Sequence, residues 1–484
     1  MTRDEFRKVG YMLIDRISDF YETLHERPVT TGETPATLRK LLGTSSLPGN
    51  GIPAEKIMSR AADLLFDHSL FNGHPRFLGY ITSSPTPIGA LADLLSAAVN
   101  PNVGANILSP MATEIEKQTI QWLAEFIGLS PGYGGLLVSG GNMANFTGFV
   151  AARTAKGSPA IKEQGMNNER LVVYCSKSTH AWIEKAVLFF GIGTNNIRWI
   201  EQDDSGKMRI DLLEQAIVMD RSSGLAPFVV VGTAGDVSTG AVDDLATIGS
   251  MCKKYDLWFH VDGAYGIPAA VVPELKYLFN GIEVADSIAF DPHKWLYCPL
   301  EAGCILVKDP NTLVDTYSSH PVYYNFDQGK DQALNYYEYG FQNSRGFRAL
   351  KVWTSLQNIG RNGYVNMISD NVAMAGLLFQ LAHEHSELEA VTHRLSITTL
   401  RYAPNVIPPG VNDREAYLNS LNEDLLNKLQ KNGEVFLSNA VVDGKYCLRG
   451  CIVNFRTSKK DIEAIVEIIL KEGRDLHLRR MVVV

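Results

Sequence analysis

Residues 285–297 read ADSIAFDPHKWLY. The run up to Ala289 alternates well enough to be a strand. A buried strand usually ends in turn residues and returns to solvent. This one ends in Asp291-Pro292, sets His293 beside Lys294, and turns apolar again at Trp295 and Leu296. A lysine at a strand end beside apolar residues can serve as a Schiff-base nucleophile. Taken by itself it reads more readily as a surface lysine whose stem lies along apolar neighbours.

Working outward, six further apolar runs have the same character. They are GGLLVSG (134–140), RLVVYCS (170–176), NIRWIE (196–201), PFVVVGTAG (227–235), LWFHVDGAYG (257–266) and AGCILVK (302–308). Helical stretches separate them, which predicts an α/β fold with a mostly parallel sheet flanked by helices. Residues 1–80 read as a helical N-terminal segment, residues 81–350 as the large α/β domain, and residues 351–484 as a small α+β domain. In the first segment, TTGETPATLRKLLGTSSLPGNGIP (30–53) reads as a linker between helices. A long helix is predicted from about residue 350, followed by strands in LSITTLRY, GEVFLSNAVV and YCLRGCIVNF.

The chain has 484 residues and a net charge of −8, which argues against a general nucleic-acid binder. No apolar run approaches ~18 residues, so no membrane span is expected. The N-terminal stretch lacks the apolar core of a signal peptide. Cys175, Cys252, Cys298, Cys304, Cys447 and Cys451 form no CxxC pair. Reduced thiols in a cytoplasmic protein are expected, with no metal site.

In open α/β sheets, ligands sit beyond the carboxyl ends of strands. After GGLLV comes SGGNMANFTG, where Gly140 and Gly141 permit a tight turn and a helix start offers N–H groups to an anion. After LWFHV comes Asp262, an acid that needs a partner if buried. After RLVVYCS comes KSTHAWIEKA, with His180 near a helix start. After ADSIAF comes Lys294. Each alone has a bland structural reading. Together they supply a phosphate cradle, an acid, a flat ring and an amine, the four things pyridoxal phosphate needs.

At this point the sequence resembles the group II pyridoxal-phosphate decarboxylases, enzymes of fold type I. HVDGAYG and DPHKWL carry the likeness, with HPRFLGY, SPMATEIEKQTIQWL, SGGNMAN, STH, TAGDVSTGAVDD and NSRGFRALKVW. The aromatic-amino-acid branch looks most similar, through ALADLL, FNGIEVADS and GFRALKVW. The resemblance implies a homodimer with the active site at the interface. It implies that Lys294 holds the cofactor covalently and that Asp262 pairs with its pyridine nitrogen. His180 and Ala264 would lie on the two ring faces. Gly141, Asn142 and His293 would hold the phosphate, with Asp291 close by. Tyr323, in HPVYYNF, matches the loop tyrosine that protonates the substrate carbon; aromatic aldehyde synthases carry Phe there. Tyr80, Ile81, Thr82, Ser83, Asn102, Gly104, Ser344 and Arg449 are the expected substrate contacts. Ser344 looks like the floor of that pocket, and Gly104 would open space elsewhere. Asp291 stands where animal relatives have Asn, and an acid beside a phosphate leaves its contact unexplained. The expected reaction is decarboxylation of tyrosine, DOPA or tryptophan. Decarboxylation of an acidic amino acid, or lyase or aminotransferase chemistry on the same fold, are the alternatives.

Overall fold

The computed structural model describes residues 1–166, 169–319 and 333–482. By contact the chain forms two compact units, residues 1–80 with 373–484, and residues 81–372. The N-terminal segment thus shares its unit with the C-terminal residues.

Unit 81–372 is built on a seven-stranded sheet among the described residues. Its strands are β1 (Gly134–Val138), β2 (Leu171–Ser176), β3 (Ile197–Ile200), β4 (Ala226–Thr233), β5 (Trp258–Asp262), β6 (Ser287–Phe290) and β7 (Gly303–Val307), in the order β1-β7-β6-β5-β4-β2-β3. All seven fall in the apolar runs picked out by sequence. Only β7 runs against the others. Strands buried on both faces read as continuous apolar runs rather than alternating ones. β2, β5, β6 and β7 are buried at every position. The helix Gly141–Lys156 packs across β1, β4, β5, β6 and β7. Its inner face puts Phe149 and Ala152 into a core with Val173, Val229 and Ile305.

Register places the functional edge. Asp262 on β5 pairs with Thr233 on β4 and Ala289 on β6. Asp291 and Lys294 lie just past β6, and Gly140 and Gly141 just past β1. All these positions sit at the carboxyl ends of parallel strands, where such sheets bind ligands.

The other unit holds β8 (Leu388–Arg394), β9 (Ile397–Tyr402), β10 (Ser438–Val442) and β11 (Lys445–Cys451), antiparallel in the order β10-β11-β9-β8. Helices Arg414–Asn432 and Lys459–Val482 supply Leu421, Leu425, Ile465 and Ile469 to its core. Helices Arg3–Thr23 and Ala54–His68 run side by side, joined by Lys8–Glu55, Arg16–Asp63 and a Phe20–Phe66 stack at 4.7 Å.

Three local features depart from the sequence reading. The linker 30–53 contains a helix, Pro35–Leu42. Thr34 accepts a hydrogen bond from Thr37 N–H, Pro35 opens the helix, and Gly43 closes it. Helix Ala349–Glu384 is interrupted at Gly360, whose φ of 69° is outside helical space. β8 was not anticipated, because LEAVTHR mixes two charges and a histidine into its seven residues.

Candidate active site

Helix Gly141–Lys156 starts directly beyond β1, so its first turn points unpaired N–H groups toward the strand-end edge. Gly141 lies against the residues after β5 and β6. A Cβ on Gly141 would come within 2.7 Å of Asp291 Oδ2 and 3.4 Å of Ala264 Cβ. A Cβ on Gly140 would lie 3.4 Å from His293 Cε1. Asn142 is exposed in the same first turn.

Lys294 is held in a turn by its N–H to Asp291 O, 2.9 Å. Its Nζ is 3.1 Å from Asp291 Oδ2. Asp291 is buried, and its Oδ1 has no hydrogen-bond partner among the described residues. In the cofactor-free chain the Asp291 charge is thus paired with the lysine amine. Behind the turn, Trp295, Leu296 and Tyr297 are fully buried. Trp295 stacks on Tyr265 at 5.0 Å, and both Trp295 Nε1 and Tyr297 OH donate to Asn371 Oδ1. This packing fixes the backbone from which Lys294 projects.

His293 Nδ1 accepts the Ala302 N–H at 3.1 Å. A neutral ring then carries its proton on Nε2. Desolvation lowers the His293 pKa, with the Asp291 charge opposing it. Ser83 Oγ donates to His293 O at 2.9 Å and ties residues 81–83 to this turn.

Asp262 is buried at the end of β5. Its Oδ1 accepts Ala264 N–H at 3.1 Å and its Oδ2 accepts Trp182 Nε1–H at 2.7 Å. His180 is exposed, yet partial desolvation lowers its pKa. The charges of Asp262, Lys294 and Asp291 all act on its ring, so the four residues share one neighbourhood.

Among the expected substrate contacts, Asn102 Oδ1 is occupied by Gly104 N–H (3.1 Å) and Arg345 N–H (3.0 Å). Gly104 does not open space: a Cβ there would lie 2.1 Å from Asn343 O, so backbone already fills that room. Ser344 is exposed. Its neighbour Arg345 is buried, pairing with Glu116 at 2.6 Å and donating to Val103 O and Leu137 O. Ile81 and Thr82 are half-buried. Tyr80 and Arg449 belong to the other unit, where Tyr80 N–H donates to Ser438 Oγ and Ser438 is the register partner of Arg449. Tyr323 lies outside the described residues.

Sequence reasoning missed Trp182, His260 and Asn145. His260 had a signal, since it stands two residues before Asp262 on β5 and so shares its face. Asn145, one helical turn beyond Gly141, had one too.

This edge fits pyridoxal phosphate. It has a glycine cradle that a Cβ would fill, a lysine amine, and a buried carboxylate whose donors leave room for another. The family described as "Pyridoxal-dependent decarboxylase conserved domain" matches residues 35–400. The chain is 32% identical to an aromatic-L-amino-acid decarboxylase of Bacillus atrophaeus over 470 residues, covering 96% of this chain and 95% of that protein. It is 32% identical to tyrosine decarboxylase 4 of Petroselinum crispum, covering 96% and 92%. The crystal structure of Oryza sativa TDC with PLP and tryptamine matches with a TM-score of 0.92 and 26% identity, covering 99% of each chain. Over three-quarters of its length by the family match alone, and with its strand-end residues gathered as described, the chain belongs to the pyridoxal-dependent decarboxylases.

Proposed function

We propose that this enzyme decarboxylates an aromatic L-amino acid, tyrosine, DOPA or tryptophan, to the amine and CO2. The observation that carries the reading is the meeting of Lys294, Asp291, Asp262, His180 and the Gly141 turn at one sheet edge. The activities named for the relatives support the aromatic choice.

Lys294 would hold the cofactor through its amine. Gly141 and Asn142 N–H groups and His293 Nε2–H would hold the phosphate. When bound, pyridoxal phosphate supplies a ring that accepts the electrons of the breaking carboxylate bond. Asp262 would keep the proton on the ring nitrogen. His180 would lie on one ring face and Ala264 on the other. The lowered pKa of His180 leaves its imidazole neutral at pH 7. Tyr323 would donate a proton to the substrate carbon as general acid, which favours amine over aldehyde. Ile81, Thr82, Ser83 and Ser344 would contact the substrate. Asn102 and Gly104 would act on that contact by fixing the loop beside Arg345.

Two copies would complete the site between them. A cytoplasmic location is supported by the six cysteines, which are buried and form no CxxC pair. Among the described residues, no helix is long and apolar enough to cross a membrane.

The test is incubation of the holoenzyme with tyrosine, DOPA, tryptophan, histidine, glutamate and aspartate, measuring CO2, amine, aldehyde and peroxide. Stoichiometric CO2 and amine from an aromatic substrate are expected. Release from glutamate or aspartate alone would refute the aromatic assignment. Turnover that requires a keto acid would point to aminotransfer instead.

A further inference from the structure

We propose that Trp182 is a positioning residue for Asp262, its indole N–H fixing the carboxylate that faces the cofactor's pyridine nitrogen. The inference rests on the role given to Asp262 above.

Trp182 is 1% exposed and opens the helix Trp182–Phe189, two residues after His180. Its Nε1–H donates to Asp262 Oδ2 at 2.7 Å. An indole N–H is a donor only, so it satisfies the carboxylate without competing for its negative charge. Ala264 N–H takes one lone pair of the other oxygen. Each oxygen thus has one fixed donor and keeps acceptor capacity for a further one. The same residue reaches His180, because Trp182 backbone N–H donates to His180 Nδ1 at 3.3 Å. One residue therefore orients both the acid and the ring-face histidine.

The indole cannot swing away. It meets Phe146 at 6.5 Å, Phe149 at 6.1 Å and His260 at 5.7 Å, each edge to face. His260 is itself locked. It sits on β5 on the same face as Asp262, with Nδ1 2.7 Å from Ser287 Oγ and Nε2 2.8 Å from Asn145 Oδ1. Trp258 Nε1–H donates to Ser287 Oγ at 2.8 Å, freeing the serine hydrogen for His260 Nδ1. The chain of bonds runs from β5 and β6 to the helix that starts at Gly141. Gly148 lets that helix approach, since a Cβ there would lie 3.0 Å from the His260 ring. Asp262 and the phosphate cradle are thereby set at a fixed separation, and Trp182 closes the network onto the acid.

Trp182→Phe removes the N–H and keeps an aromatic ring. The test compares binding of pyridoxal phosphate and of its 1-deaza analogue, which has carbon in place of the ring nitrogen, to the full chain stripped of cofactor. Wild type should prefer pyridoxal phosphate strongly. Trp182→Phe should weaken pyridoxal phosphate about tenfold, because the carboxylate that must face the ring nitrogen is no longer held in place before binding. It should leave analogue binding close to wild type. Unchanged pyridoxal phosphate affinity would overturn the inference. So would an equal loss for both ligands, which would mark the residue as merely structural. If wild type itself does not distinguish the two, the role of Asp262 fails first and the inference with it. Should Trp182→Phe not fold, Trp182→Gln against Trp182→Leu reads the same difference, with and without a donor. Discrimination kept by Gln and lost by Leu is expected, and equal discrimination in both would overturn the proposal.

Discussion

Lys294 Nζ stands 3.1 Å from Asp291 Oδ2, and the acid side chain is only 2% exposed. Breaking a buried pair by removing one partner costs about 3–5 kcal/mol, because the other charge is left without compensation. The lysine is itself partly exposed, so the lower end applies. Lys294→Ala should therefore abolish the cofactor absorbance band and turnover, and also lower the unfolding free energy of the cofactor-free protein by about 3 kcal/mol. Adding Asp291→Asn in that background should restore most of the stability and none of the activity. A Lys294→Ala protein as stable as wild type would refute the pairing. The same residue scale sets a pH dependence. Burial pushes His260 and His74 down to about 4. Between that value and 6.5, the unfolded chain takes up protons that the folded chain refuses, so falling pH favours unfolding. Each histidine costs about 1.6 kcal/mol between pH 6.5 and 5. Asp243 works the other way. Burial raises it to about 6, so its protonation returns about 1.2 kcal/mol over the same range. Denaturant titrations of the cofactor-free protein should show a net loss of about 2 kcal/mol from pH 6.5 to 5 from these three groups. A flat or rising profile would contradict it.

At the scale of elements, the cradle depends on two strands whose ends nearly touch. A Cβ on Gly303, at the start of β7, would lie 2.5 Å from Gly140 Cα. β7 pairs with β1 there, Val138 opposite Gly303, so the turn leaving β1 must fold back over the glycine. Gly303→Ala should push the turn outward, destabilise the fold by about 1–3 kcal/mol, and weaken cofactor binding more than it slows bound enzyme. Equal cofactor affinity in the variant, by equilibrium titration, would show that the turn relaxes freely. Most of the seven-stranded sheet was legible because strands buried on both faces leave continuous apolar runs. β8 was not, since half-buried strands at the edge of an antiparallel sheet tolerate Glu389, His393 and Arg394. Gly360 looked like an ordinary glycine within a helical pattern, and only its backbone angle reveals the break. The site was legible where a residue stands at a strand end, as Lys294, Asp262 and Gly141 do. It was illegible where the partner arrives from elsewhere. Trp182 lies 80 residues before Asp262, and no spacing within either segment pairs them. Asp291 and Lys294 are three apart, yet their pairing depends on a turn that burial of Trp295 and Leu296 enforces.

At the scale of the whole molecule, the N-terminal helices leave large apolar side chains in water. Phe6 is 63% exposed, Tyr11 61% and Leu65 63%. Their helices pair with each other through Phe20 and Phe66, so one face of the pair is already used and the exposed side chains lie outside that contact. Covering a large apolar side chain contributes about 1.5–3 kcal/mol. If two copies meet on this surface, replacing Phe6 and Leu65 by Asp removes at least two such contributions, about 3–6 kcal/mol. That weakens association by roughly 10²–10⁴-fold. Sedimentation of the wild type should therefore give a dimer at micromolar concentration, and the double variant a monomer. Because a site completed by the second copy fails when the copies part, turnover in the variant should rise steeply with protein concentration while wild-type turnover per subunit stays constant. A wild-type monomer at all concentrations would refute the shared site. A monomeric variant with full, concentration-independent turnover would show instead that one copy suffices for the chemistry.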